Sequence, residues 1–255
     1  MTTDPMLEAR NLFLPGRIEG VSAALRRGEI TAICGPNGAG KSTLLECLAG
    51  LLAPETGSVV LGDTPLAAMA PRERARAIGY LPQHGEVAWD LSVRNLVALG
   101  RLPHGDGGEV QVDAALAALD LESFSSRPVS TLSGGERARA LLARVLAGEP
   151  GWILADEPLA ALDLGHQLAL ARHLRRAAAS GAGVVLVLHD LALAMNHAAR
   201  VLILDKGVLV ADGAPEAALA PETIERVWGV PTRWLGEPGA WALAVEGQGP
   251  SSNSD

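Results

Sequence analysis

The chain has 255 residues, enough for one large α/β domain or two small lobes around a real core. A net charge of −8 argues against a nucleic-acid binder driven by phosphate neutralisation. The two cysteines, Cys34 and Cys47, exclude a disulfide framework or a metal spacing and read as small buried hydrophobes. The opening residues hold no stretch fit for a signal peptide, and no run approaches the roughly 18 apolar residues of a membrane span, so the chain reads as soluble and cytosolic.

Short β-rich apolar runs alternate with helical patterns, which predicts a largely parallel α/β sheet. In chain order the candidate strands are 7–14, 29–35, 57–62, 77–83, 151–158 and 183–190. The stretch "RVLILDKGVLVADG" predicts a hairpin turning at Lys206-Gly207. Between Gln83 and Gly148 the pattern changes. Ser92 is placed to cap a helix holding Leu96 and Leu99, and Val112, Ala115, Leu116 and Leu119 recur at helical spacing. A helical subdomain over residues 85–146 is therefore expected, inserted between core segments 6–84 and 147–240. The tail 241–255 ends in "GQGPSSNSD", a composition that predicts disorder.

"GPNGAGKST" (35–43) follows a strand, opens a helix and matches the phosphate-loop pattern in full. Gly35, Pro36, Asn37, Gly38, Ala39, Gly40, Lys41, Ser42 and Thr43 form the expected triphosphate cradle, because glycines let backbone N–H groups turn inward around phosphate oxygens. Lys41 has the reach for the β- and γ-phosphates, and Ser42 has a hydroxyl placed for Mg²⁺. Lysine occurs only at positions 41 and 206; every other basic side chain is arginine. "WILADEP" then delivers Asp156 and Glu157 to the C-terminal end of a buried strand. Asp156 is the expected Mg²⁺ partner and Glu157 the expected acceptor of a proton from attacking water.

"TLSGGERARA" (131–140) is a second glycine-rich loop at a helix mouth. Ser133, Gly134 and Gly135 suit a phosphate, although an N-cap for helix 136–147 would use the same residues.

"GPNGAGKST", "LPQ", "LSGGE", "ILADEP", "ALD" and "LHD" occur in the order and approximate spacing of the ATP-binding cassette (ABC) ATPases, which the chain resembles from about Leu7 to Trp234. The resemblance implies a P-loop NTPase fold, ATP and Mg²⁺ as ligands, and a head-to-tail dimer. In that dimer Ser133-Gly134-Gly135 of one copy closes over ATP held by the other. It makes Gln83 a Mg²⁺ contact that links core to helical subdomain, His189 a switch at the γ-phosphate, and Asp163 a residue crossing the dimer interface. His84, His104, His166, His173 and His197 match no motif and read as surface or interface residues.

Two positions depart from the family pattern. Phe13 is the only aromatic near the N-terminus that could stack on adenine, and Leu159 stands where a polar residue is usual. The resemblance further implies an ATPase subunit at the cytoplasmic face of the inner membrane. There it would couple to two permease subunits and, through them, to a periplasmic or extracellular binding protein. "LSVRNLVALGRLPH" (91–104) and "VWGVPTRW" (227–234) resemble the ATPases of ferric siderophore, haem and cobalamin importers, with Arg101, Pro103 and His104 as the permease-facing edge. Another imported solute, an exporter or a non-transport ABC protein are the alternatives, and a small-molecule kinase is a competitor on the phosphate loop alone.

Overall fold

The computed structural model describes residues 6–83, 91–159 and 162–245. The expected lobe boundary at 84/85, His84 and the end of the tail (246–255), for which disorder is the expectation, lie outside these residues.

The chain begins with a hairpin, β1 (Leu7–Leu14) and β2 (Ile18–Leu25), and then enters β3 (Ile30–Cys34) and α1 (Lys41–Leu48). Next come β4 (Thr56–Leu61), β5 (Thr64–Pro65), α2 (Pro71–Ala77) and β6 (Ile78–Leu81). Three helices follow, α3 (Val93–Ala98), α4 (Glu109–Ala118) and α5 (Gly134–Ala147). The chain returns through β7 (Trp152–Asp156), α6 (Leu164–Ala179), β8 (Gly183–Val187), α7 (Leu191–His197), β9 (Arg200–Asp205) and β10 (Val208–Gly213). It closes with α8 (Pro215–Ala218), α9 (Pro221–Trp228) and the pair β11 (Thr232–Leu235) and β12 (Ala242–Val245).

The central sheet has the order β10-β9-β3-β8-β7-β6. Every pairing in it is parallel except the β9–β10 hairpin. The mostly parallel sheet therefore matches expectation. Its strands are apolar on both faces because helices or a second sheet cover each side. Along β7, Ile153 and Ala155 face one cluster while Trp152 and Leu154 face the other; β8 repeats this with Val184 and Leu186 against Val185 and Val187. That alternation is the period of two expressed as two separate cores.

One core lies beneath α1 and a four-stranded antiparallel sheet, β2-β1-β4-β5, which the sequence reading did not foresee as a separate layer. The other is shared by α6, α7 and the helices α3 to α5, so the helical segment is continuous in packing with the sheet. Ser92 caps α3 as its position predicts, accepting from the Asn95 N–H at 3.2 Å. The hairpin turn falls at Lys206-Gly207, with φ of 47° and 83°, and Asp205 faces Val208 across it. Both cysteines are buried, and burial pushes their thiols up, Cys34 to about 12 and Cys47 to about 11. No helix among the described residues is long and apolar enough to cross a membrane.

Candidate functional site

The parallel strands β3, β7 and β8 end side by side, and their following loops supply the site. After β3 the chain turns through residues 35–40 into α1, whose N-cap Gly40 has φ 95°. A Cβ there would stand 2.5 Å from the Arg17 carbonyl oxygen, so no larger residue fits between this loop and the β1–β2 turn. A cavity of about 370 Å³ opens at the loop, lined by its residues from Asn37 to Thr43 together with Glu157, His189, Gly16 and Arg17. Gly35 and Pro36 are not among the lining residues; their carbonyls accept from Lys41 Nζ at 2.9 Å each. Lys41 is only 6% exposed, and burial lowers its ammonium below the usual lysine range, opposed by the nearby charge of Glu157.

Asp156 ends β7 in a buried position beside the Ser42 hydroxyl, with its Oδ1 left without a partner. Burial raises its pKa above the ordinary aspartate range. A buried carboxylate oxygen with no donor, beside a serine hydroxyl and a lysine, suits a hard divalent cation that prefers oxygen ligands and keeps its water. The residues therefore fit Mg²⁺.

Glu157 follows at φ 47°, a left-handed backbone that costs a non-glycine residue about 1–3 kcal/mol. Its carboxylate is bracketed. Oε2 accepts from Gln83 Nε2 at 2.6 Å, and Oε1 meets His189 Nε2. Thus β6, β7 and β8 each deliver one member of a Gln83–Glu157–His189 set, with His189 the more exposed of the ionisable pair.

Ser133, Gly134 and Gly135 stand apart from this cavity. Ser133 caps α5 in a reciprocal box: its Oγ accepts from the Glu136 N–H at 3.3 Å, while Glu136 Oε2 accepts from the Ser133 N–H at 2.7 Å. That backbone donor holds the Glu136 carboxyl below the usual range. Ser133 and Gly134 are exposed, with the first amides of α5 beside them. Asp163 caps α6, accepting at Oδ1 from the His166 N–H at 2.9 Å and contacting His166 Nδ1 at 2.8 Å. A Cβ on Gly135 would lie 3.1 Å from the His166 ring, so the imidazole packs on the glycine of the second loop. His166 thus links two loops that sequence reasoning treated separately; without a motif at that position, only the fold could show it.

Phe13 is half-buried on β1, paired with Thr56, and does not line the cavity. The β1–β2 turn brings Gly16 and Arg17 there in its place, two residues that no motif singled out. The expected permease-facing edge also changes. Arg101 is 4% exposed and turned inward, bonded to Asp106 at 2.7 and 3.0 Å, to Glu149 at 3.2 Å and to the Ala147 carbonyl at 3.1 Å. A guanidinium held by two carboxylates and a buried carbonyl is not free to meet a partner. His104 is likewise engaged, with Nε2 3.0 Å from the Gly148 carbonyl. Pro103 does line a groove of about 330 Å³ with Leu99 and Leu102. Leu159 is buried in the core, which accounts for an apolar residue at that position.

A phosphate loop opening a helix after β3, with an Asp-Glu pair at the end of β7, one strand removed across β8, defines a P-loop nucleoside triphosphatase. The family model described as ABC transporter matches residues 18–160. The chain is 46% identical over 247 residues to the hemin import ATP-binding protein HmuV of Nocardia farcinica, covering 94% of this chain and 86% of that protein. With the protein of the same name from Myxococcus xanthus it shares 43% over 241 residues, covering 89% and 90%. Among solved structures it resembles a transporter described as of the metal-chelate type, in an inward-facing conformation, with a TM-score of 0.81 and 26% identity over 96% of this chain and 98% of that one. An ATP-binding subunit of an ABC transporter aligns with a TM-score of 0.76 and 27% identity, over 88% and 93%. The chain belongs to the ABC transporter family, and it is an ATP-hydrolysing transporter subunit.

Proposed function

We propose that this subunit drives import of haem through two separate permease chains, at the cytoplasmic face of the membrane, as a head-to-tail dimer. The observation that carries the cargo is the 46% identity to a hemin import ATP-binding protein across nearly the whole chain. Other chelates, ferric siderophores and cobalamin, are the second reading, favoured by the likeness to a metal-chelate type transporter.

The hydrolytic half-site follows from the residues themselves. Loop amides and Lys41 hold the triphosphate, and the two carbonyls that Lys41 now contacts are the bonds it exchanges for phosphate oxygens. Ser42, Asp156 and Gln83 are the residues that would hold Mg²⁺, which would supply positive charge against the phosphates. Glu157 accepts the proton of attacking water once its carboxylate leaves Gln83 and His189, and His189 then faces the γ-phosphate. The half-site lacks a cap over the phosphate. Ser133 and Gly134 are exposed and do not line their own chain's cavity, which supports their use on a partner's nucleotide. Leu164 (71% exposed) and Leu168 (44%) offer apolar surface beside Asp163 for the same contact. The groove at Leu99, Leu102 and Pro103 is the surface we assign to the permease.

The test is uptake of radiolabelled haem, ferric siderophore and cobalamin in cells whose only copy carries Lys41→Ala. Loss of haem uptake alone is expected. Loss of siderophore or cobalamin uptake with haem intact transfers the assignment to that chelate, and normal uptake of all three overturns it.

A further inference from the structure

The phosphate loop offers amides, hydroxyls and one ammonium, all suited to phosphate oxygens, and nothing that meets a purine. The cavity nevertheless extends past the loop to Gly16 and Arg17 in the β1–β2 turn. Glu157 and His189 line it as well, and on the reading above they mark the terminal-phosphate end. The nucleoside must leave the loop at another side, and the turn provides one.

That turn is fixed against the loop. The Arg17 N–H donates to the Leu14 carbonyl at 3.0 Å, and the Glu19 N–H donates to the Gly207 carbonyl at 2.8 Å. The Arg17 carbonyl sits where a Cβ on Gly40 would come within 2.5 Å. The root of the Arg17 side chain is therefore set by backbone packing on the nucleotide loop itself. Its residue is exposed, and among the described residues its guanidinium has no ion pair or hydrogen bond. A planar, delocalised and weakly hydrated cation stacks on the π-face of a base and needs no particular edge pattern to do so.

We propose that Arg17 is the base-contacting residue of the site: its guanidinium covers the purine of a nucleoside triphosphate whose phosphates lie in the loop Gly35–Thr43. This rests on the nucleotide reading of that loop. Stacking reads the face of the ring, so adenine and guanine nucleotides bind with similar affinity.

Equilibrium binding to the purified full chain tests this with three probes: adenylyl imidodiphosphate, guanylyl imidodiphosphate and inorganic tripolyphosphate, the last by competition. Arg17→Ala is expected to weaken both nucleotides roughly 5–30-fold, the range of one lost contact of this size, and to leave tripolyphosphate unchanged. Arg17→Phe, which restores a stacking face without charge, recovers both nucleotides; Arg17→Lys does not. Unchanged nucleotide binding by Arg17→Ala overturns the proposal, and so does an equal loss for tripolyphosphate, which would make Arg17 a phosphate contact. Lys41→Ala separates the two readings: if it loses all three probes while Arg17→Ala loses none, only the Arg17 assignment fails. If Lys41→Ala loses none, the loop reading itself fails.

Discussion

Replacing Glu157 by glutamine removes one oxygen's basicity and almost nothing else. In the free protein the carboxylate accepts from Gln83 Nε2 and meets His189 Nε2. A glutamine side chain of equal length keeps an oxygen for Gln83, and its amide N–H donates to the other ring, so both contacts survive. The strained backbone at φ 47° is also retained. Stability should then change by less than about 1 kcal/mol, a shift of no more than roughly 2–4 °C in a chain of this size. Turnover should fall 10²–10⁴-fold, the usual worth of a general base, or about 2.7–5.4 kcal/mol at 1.36 kcal/mol per decade. Phosphate release measures the rate, thermal unfolding checks the fold, and size-exclusion with ATP shows whether an ATP-bound dimer accumulates. Turnover within tenfold of the parent chain, with ATP still bound, would refute the role of Glu157 as base.

Mixing Lys41→Ala chains with Ser133→Arg chains should give activity above either alone, because one composite site per heterodimer is intact; a mixture whose subunits exchange yet stay inactive speaks against sharing. Arg101→Ala should lower the midpoint of thermal unfolding by about 4–8 °C, from roughly 2 kcal/mol, since the guanidinium is buried while Asp106 and Glu149 are half exposed and regain water. Unchanged unfolding would return Arg101 to the surface role its position in the sequence suggested. Neither cysteine should react with a maleimide at pH 7.5 in the folded chain, and both should react in denaturant, counted by mass. Their folded thiol values lie above the ordinary 9.0, so the associated stability is intact below pH 9 and declines as pH rises towards 11 and 12.

The phosphate loop was legible because its chemistry demands fixed residue types at fixed spacing, and the strands at 30–34, 152–156 and 183–187 were legible because both their faces are buried and therefore apolar. β2 was missed for a physical reason. In "IEGVSAAL" the buried positions fall on Ile18, Val21, Ala23 and Leu25, so the strict alternation is broken and small residues dilute it. β1 carries a bulge, with Asn11 at φ 48°, which interrupts its register with both neighbours. Arg101 misled because it lies just beyond a helix, where packing is hard to read from sequence, whereas Asp106 and Glu149, one five residues on and one after α5, draw it inward. Arg17 and His166 were silent because each acts through a contact distant in sequence: Arg17 lies against Gly40, and His166 against Gly135.

The scarcity of lysine has a practical consequence. Lys41 is enclosed, with its ammonium held by two loop carbonyls, while Lys206 stands exposed at the tip of the β9–β10 hairpin. The next residue, Gly207, donates its N–H to the Ala39 carbonyl at 3.1 Å and accepts from the Glu19 N–H at 2.8 Å. An amine-reactive fluorophore would therefore choose one side chain in the whole folded protein, and that side chain is anchored one residue from the backbone of the phosphate loop. Wild-type protein, with no engineered cysteine, carries its own attachment point for an optical reporter of nucleotide arrival and departure.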